Sequence, residues 1–322
     1  MPETVLTQPA ETATATAPVV AAVDIRKQFG AFEAVRGVSF EVRRGECFGF
    51  LGPNGAGKSS LMRMVSSVSP ATSGTMSIFG LDPRTSGSQI RARMGVVPQT
   101  DNLDQELTVE ENLLIYGRYF DLSRAECRRR AKDLLDFVQL GDRAQSRVEP
   151  LSGGMKRRLT IARSLMSKPE LLLLDEPTTG LDPQARHVLW DRLYRLKEQG
   201  VTLVLTTHYM DEAEQLCDRL VVVDRGQIVA EGSPAQLIRE HATREVLEIR
   251  VAASVVAGIE SALSSLGLRT EVLPDRVLLY SNNGEQTLKD VHELGITTLS
   301  SLVRRSSLED VFLRLTGRTL ND

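Results

Sequence analysis

The stretch Gly52-Pro53-Asn54-Gly55-Ala56-Gly57-Lys58-Ser59 fills every fixed position of the pattern G-x-x-x-x-G-K-[ST]. The chemistry of that pattern is phosphate binding. Its glycines let the main chain curl until successive N–H groups point inward at phosphate oxygens. A helix opening at Ser60-Leu61-Met62 turns the positive end of its dipole toward the same anion. Lys58 has the reach for the β- and γ-phosphates, and the Ser59 hydroxyl is a ligand for Mg²⁺. An apolar strand ending at Leu51 leads in, so strand, loop and helix follow the order that a nucleoside triphosphate site needs. The spacing does not fit the G-x-G-x-x-G of dinucleotide-binding folds.

Further along, the apolar run Leu171 to Leu174 ends in Asp175 and Glu176. A carboxylate at the tip of a buried strand beside such a loop suits Mg²⁺, a role that falls to Asp175. Glu176 then orients or deprotonates the attacking water, the one proton task that phosphoryl hydrolysis leaves to a protein. His208 ends another apolar strand and is read as a γ-phosphate contact. Gln99, after Val96-Val97-Pro98, is read as touching Mg²⁺ or the water. Ser152-Gly153-Gly154 opens a helix and forms a second anion grip of the same physical kind. One nucleotide does not need two grips, and the surplus is explained if the second serves a nucleotide held by another copy. The runs Arg128-Arg129-Arg130 and Lys156-Arg157-Arg158 read as solvated basic helix faces.

These residues need a scaffold of strands and helices. Short β-branched runs at Val23 to Phe29, Val38 to Val42 and Cys47 to Leu51 read as an opening strand cluster, and hence an antiparallel β subdomain. Beyond Lys58, apolar strands alternate with helical patterns such as Val109 to Tyr119 and Arg124 to Leu140, which predicts an α/β core with parallel strands. After Ala242 the order becomes strand, helix, strand, strand, helix, strand, helix, which predicts a small α+β domain of ferredoxin-like β-α-β-β-α-β form. The expected limits are a disordered leader over 1–21, a nucleotide-binding domain over 22–241 and the small domain over 242–322. A chain of 322 residues has room for both. With 41% hydrophobic and 25% charged residues it supports a core, and its net charge of −3 lacks the basic excess of a nucleic-acid binder. No apolar run approaches the ~20 residues of a membrane span. The three cysteines form no C-x-x-C, which argues against a zinc site and a disulfide framework and favours a reducing cytosol.

Taken together, these residues resemble the ATP-binding cassette family. Gly52 to Ser59 resembles Walker A, Gln99 the Q-loop, and Leu151 to Met155 the signature. Asp175 and Glu176 resemble the end of Walker B, Leu181-Asp182 the D-loop, and His208 the switch histidine. The resemblance implies a P-loop ATPase core with an antiparallel β subdomain and a helical subdomain. It also implies ATP with Mg²⁺, and a head-to-tail dimer in which Walker A of one copy faces the signature of the other. The resemblance places Ser60 beside the phosphates, Phe29 against adenine, and Ser59, Gln99 and Asp175 around the metal. Ser152, Gly153, Gly154 and Asp182 would then meet the partner's nucleotide. Met155 stands where the commonest signature has Gln, and Thr178-Thr179-Gly180 replaces the usual Ser-Ala pair. Both variants resemble the drug and lipo-oligosaccharide exporter branch, as do Val96 to Leu103 and Leu308 to Arg318.

That branch implies a peripheral ATPase subunit on the cytoplasmic face of the inner (cell) membrane, without a transmembrane segment of its own. It would act through a separate integral membrane permease. The implied cargo is a lipo-chitin oligosaccharide nodulation factor, with a drug or another polysaccharide or lipid as the alternative. A soluble ATP switch acting on nucleic acid or ribosomes would be expected to carry tandem cassettes, a coiled coil or a zinc insert. A regulatory, non-hydrolysing cassette would be expected to have lost Glu176 or His208.

Overall fold

A computed structural model describes residues 17–317, without the side chains of 253–257. In chain order, β1 (Val20–Phe29), β2 (Phe32–Val42) and β3 (Cys47–Leu51) lead into α1 (Lys58–Val65). Next come β4 (Ser73–Ile78), α2 (Pro83–Ala92), β5 (Met94–Val97), α3 (Val109–Arg118), α4 (Arg124–Phe137) and α5 (Gly153–Ser164). The core continues with β6 (Leu171–Asp175), α6 (Pro183–Glu198), β7 (Thr202–Thr207), α7 (Met210–Leu216), β8 (Arg219–Asp224), β9 (Gln227–Gly232) and α8 (Pro234–His241). The last part holds β10 (Glu245–Arg250), α9 (Ala253–Leu263), β11 (Arg269–Val272), β12 (Val277–Ser281), α10 (Gly284–Glu293), β13 (Ser300–Arg305) and α11 (Leu308–Thr316).

Six strands form the central sheet in the order β5-β6-β7-β3-β8-β9, parallel except for β9. Its middle strands are buried on both faces, as in a sheet covered by helices. Register sets the chemistry: Leu51 lies beside Thr207, and Asp175 beside Thr206. The chain therefore leaves β3, β6 and β7 at one level, on the carboxyl edge where α/β sheets bind ligands. A second sheet, β2-β1-β4, is antiparallel. The opening strand cluster thus divides. β3 belongs to the central sheet, and the third antiparallel strand is β4, whose Ser73–Ile78 carries too little apolar alternation to announce itself. α3, α4 and α5 share a separate core around Leu113, Leu135, Leu159 and Met166, which makes the helical subdomain.

Residues 1–16 of the expected leader lie outside the described residues. Its last part does not behave as a leader: Val19 is buried, its amide donates to Val42 O, and β1 starts at Val20. The C-terminal sheet runs β11-β12-β10-β13 and is antiparallel throughout, the order of a ferredoxin-like unit. α9 and α10 cover one face through Ile259, Leu263 and Val291. α11 leaves that unit. Its Leu308, Val311 and Phe312 enter the same apolar cluster as Leu216, Cys217 and Leu237 of the central domain. The Leu308 amide donates to Glu214 Oε1 at 2.7 Å, and Arg314 reaches His241 O at 3.0 Å. Cys47, Cys127 and Cys217 are free and buried.

Candidate active site

The cradle after β3 is shaped by close approaches. A Cβ on Gly52 would lie 2.2 Å from Val223 O, and one on Gly57 would lie 2.6 Å from Ala34 O. Gly57, at φ +107°, is also in a conformation that side chains disfavour. Ala56 O accepts from Gly226 N, so the turn after β8 braces the loop. Lys58 is 5% exposed; its Nζ donates to Gly52 O at 2.7 Å and Pro53 O at 2.9 Å. Burial lowers its pKa, against the opposing pull of Glu176 and Asp175. Asn54, Gly55 and Ser59 are exposed, Ser60 partly so, and Pro53 and Ala56 are buried supports.

Glu176 is the point of convergence. Its Oε2 accepts from Gln99 Nε2 at 3.0 Å and from Thr179 Oγ1 at 3.2 Å. Its Oε1 lies 4.0 Å from Lys58 Nζ and 3.4 Å from His208 Nδ1, the latter without hydrogen-bond alignment. The residue sits at φ +46°, a strained conformation for a non-glycine. Its amide meets the carbonyl and hydroxyl of Thr206, both at 3.1 Å. The Thr206 hydroxyl also donates to Asp175 Oδ1 at 2.5 Å.

Arg157 holds this strained turn, and the basic-run reading missed it. Its side chain is 4% exposed. The guanidinium donates to Pro177 O at 2.8 Å, Asp175 O at 2.9 Å and Glu176 O at 3.1 Å, and it also reaches Pro98 O and Gln99 O. It thus staples the segment carrying Gln99 to the end of β6. Burial lowers its pKa while Asp101, 3.5 Å away, opposes the shift. Only long-range carbonyls separate this arginine from the solvated Arg129, so local sequence could not single it out. Arg130 and Arg158 likewise donate to carbonyls, of Met166 and Val138.

The second grip lies elsewhere. Ser152 caps α5 by accepting from Met155 N at 3.3 Å, and Asp182 caps α6 by accepting from Ala185 N at 2.8 Å. Ser152, Gly154, Met155, Arg158 and Asp182 line one open cavity of about 280 Å³. Among the described residues no hydrogen bond or ion pair links Ser152, Gly153, Gly154 or Asp182 to the Glu176 cluster. Met155, partly buried, packs against the helical core. Phe29 is 49% exposed rather than a core residue, with the Lys27 ammonium 5.1 Å over its ring.

Among the described residues no three His, Cys, Asp or Glu side chains converge as a metal cage. Ser59 and Asp175 instead suit a Mg²⁺ that takes most of its oxygens from phosphate and water.

Sheet order, cradle and convergent carboxylate define an ATP-hydrolysing cassette, and residues 35–179 match the ABC transporter family. Residues 256–317 match a second family, the nodulation factor export protein NodI, C-terminal domain. A Nod factor export ATP-binding protein I from Paraburkholderia xenovorans is 46% identical over 298 residues, covering 92% of this chain and 97% of the relative. One from Rhizobium sp. (strain N33) is 48% identical over 300 residues, covering 92% and 96%. Among solved structures, an ATP-binding subunit of an ABC transporter aligns with TM-score 0.63 at 32% identity, over 69% of this chain and 92% of that one. A dimeric cassette in a post-hydrolysis state with ADP and Pi aligns with TM-score 0.62 at 28% identity, over 66% and 98%. The chain belongs to the Nod factor export ATP-binding protein I family of ABC transporter ATPases.

Proposed function

We propose that this chain powers export through a separate integral membrane permease, working as a head-to-tail pair of copies on the cytoplasmic face of the inner membrane. The observation that carries the hydrolytic part is the Glu176 carboxylate, met by Gln99, Thr179, His208 and Lys58 from four segments. In this reading Lys58 and the loop N–H groups hold the phosphates. Ser59 and Asp175 hold Mg²⁺, which when bound offsets charge on the phosphate oxygens. Gln99 and Thr179 orient Glu176, which takes the proton from the attacking water, and His208 contacts the γ-phosphate. Phe29 offers a face for adenine.

Ser152, Gly153, Gly154 and Asp182 supply the second grip to the nucleotide of the other copy. An exporter also needs a path through the bilayer, and no helix among the described residues is long and apolar enough to cross one. The relatives are named for Nod factor export, and the proposed cargo is a lipo-chitin oligosaccharide of that class.

Glu176→Gln tests the reading. It is expected to bind ATP as wild type does, to cut turnover by about 10²–10⁴-fold and to accumulate a dimer on ATP addition. Measured ATPase within twofold of wild type would remove Glu176 as the base.

A further inference from the structure

Strand β7 ends in two threonines whose hydroxyls have different partners. Thr207 Oγ1 accepts from Tyr209 N at 2.9 Å, across the turn that carries His208. Thr206 belongs to the other face of the strand, is fully buried, and has no role in the mechanism proposed above. Its register partner on β6 is Asp175. The Thr206 hydroxyl donates to Asp175 Oδ1 at 2.5 Å and accepts from Glu176 N at 3.1 Å. The same amide also meets Thr206 O at 3.1 Å. Among the described residues, Thr206 supplies the one hydrogen bond to the Asp175 carboxylate, and no basic side chain forms an ion pair with it. Arg157 donates instead to the Asp175 main-chain oxygen. Valine has nearly the shape of threonine, so what Thr206 adds at this buried position is the hydroxyl itself.

We propose that Thr206 is a positioning residue of the ATPase, whose hydroxyl fixes the Asp175 carboxylate for Mg²⁺. With Oδ1 held by Thr206, Oδ2 is left for the metal or its water shell, and the carboxylate is already oriented when Mg-ATP arrives. The same hydroxyl anchors the Glu176 amide, so one side chain ties the carboxylate for the metal to the carboxylate for the water. The two ties are unequal. Without the hydroxyl, the Glu176 amide keeps the Thr206 carbonyl, whereas Asp175 Oδ1 keeps no other donor among the described residues. Loss of the hydroxyl therefore falls first on the metal.

The inference rests on Asp175 holding Mg²⁺, as proposed above. Its test uses the full chain and reads the half-saturating Mg²⁺ concentration for ATP hydrolysis. A second reading is Mn²⁺ affinity with a non-hydrolysable ATP analogue bound, followed by electron paramagnetic resonance. Thr206→Val is expected to raise the Mg²⁺ requirement and weaken Mn²⁺ binding, each about tenfold, with nucleotide affinity in EDTA within about twofold of wild type. Thr206→Ser, which keeps the hydroxyl, is expected to hold both metal readings within about threefold of wild type. Thr206→Ala also lacks the hydroxyl and is read in place of valine should that variant not fold.

Wild-type Mg²⁺ requirement and Mn²⁺ affinity in Thr206→Val overturn the proposal. So does a serine variant no better than valine, or a tenfold loss of nucleotide affinity in EDTA. Asp175→Asn keeps the two readings separable. Wild-type Mn²⁺ affinity in that variant would overturn Asp175 as the metal's holder, whereas a loss there and none in Thr206→Val overturns the role of Thr206 alone.

Discussion

The chain builds two helix starts that can grip an anion, and they are finished to different degrees. At α1 the cradle is closed from within. Main-chain oxygens of Val223 and Ala34 crowd Gly52 and Gly57, and Lys58 is buried against two carbonyls and Glu176. At α5 the cap is satisfied by Ser152, yet Gly153 has open space where a Cβ would go, and Ser152 and Gly153 are exposed. A glycine crowded by its own chain is explained by the fold; one facing open space is not. The contrast separates a cradle whose glycines the chain's own packing requires from a helix start whose Gly153 it does not, which is what the proposed service of the second grip to another copy would need.

Four substitutions would break or sharpen that contrast. The largest effect is expected from Lys58→Ala, which removes the cation of the complete site; turnover should fall by about 10²–10³-fold, with ATP affinity reduced in calorimetry. Gly153→Asp addresses the outward site. Aspartate suits a first helical turn, so melting should not suffer, but its charge would oppose a phosphate, and turnover should drop about a hundredfold. If turnover survives Gly153→Asp, the outward grip is ornamental and the composite site fails.

Arg157→Met removes the staple between the Gln99 segment and β6, leaving several buried carbonyls unpaired. A loss of about 3 kcal/mol in denaturant unfolding is expected. Gly57→Ala meets both Ala34 O and a disfavoured φ, and about 1–3 kcal/mol of destabilisation is expected from the same measurement. Equal stability losses at Gly57 and Gly153 would erase the distinction between the two sites.

How far the sequence showed all this differs from element to element. The cradle and the strand Leu171–Asp175 were legible because spacing and apolar runs are local signals. So was the ferredoxin-like order after Ala242, since each of its elements carries its own period. β4 and α2 were not, because half of Ser73–Ile78 is exposed and Pro83–Ala92 contains Gly87 between Ser86 and Ser88. The sign that marks α2 was present all the same. Asp82-Pro83, Asp182-Pro183 and Ser233-Pro234 each put a capping side chain before a first-turn proline, and they open α2, α6 and α8. Phe29, Gln99 and His208 have meaning only beside distant partners, and the motif order of the resemblance supplied that context. Arg157 had no such guide. A charge in a helix looks solvated until a remote strand end covers it.

The placement of α11 bears on synthesis. Its core contacts, Phe312 among them, are made with Leu216 and Leu237, residues translated far earlier. At ~5–20 residues per second, the stretch between α8 and α11 takes on the order of several seconds to emerge. Throughout that interval the apolar bed on α7 and α8 stands open to water. The nascent cassette therefore holds its nucleotide loops well before the layer behind α7 can close. A ribosome that stalls inside the ferredoxin-like unit leaves that apolar bed without the side chains of α11 that cover it.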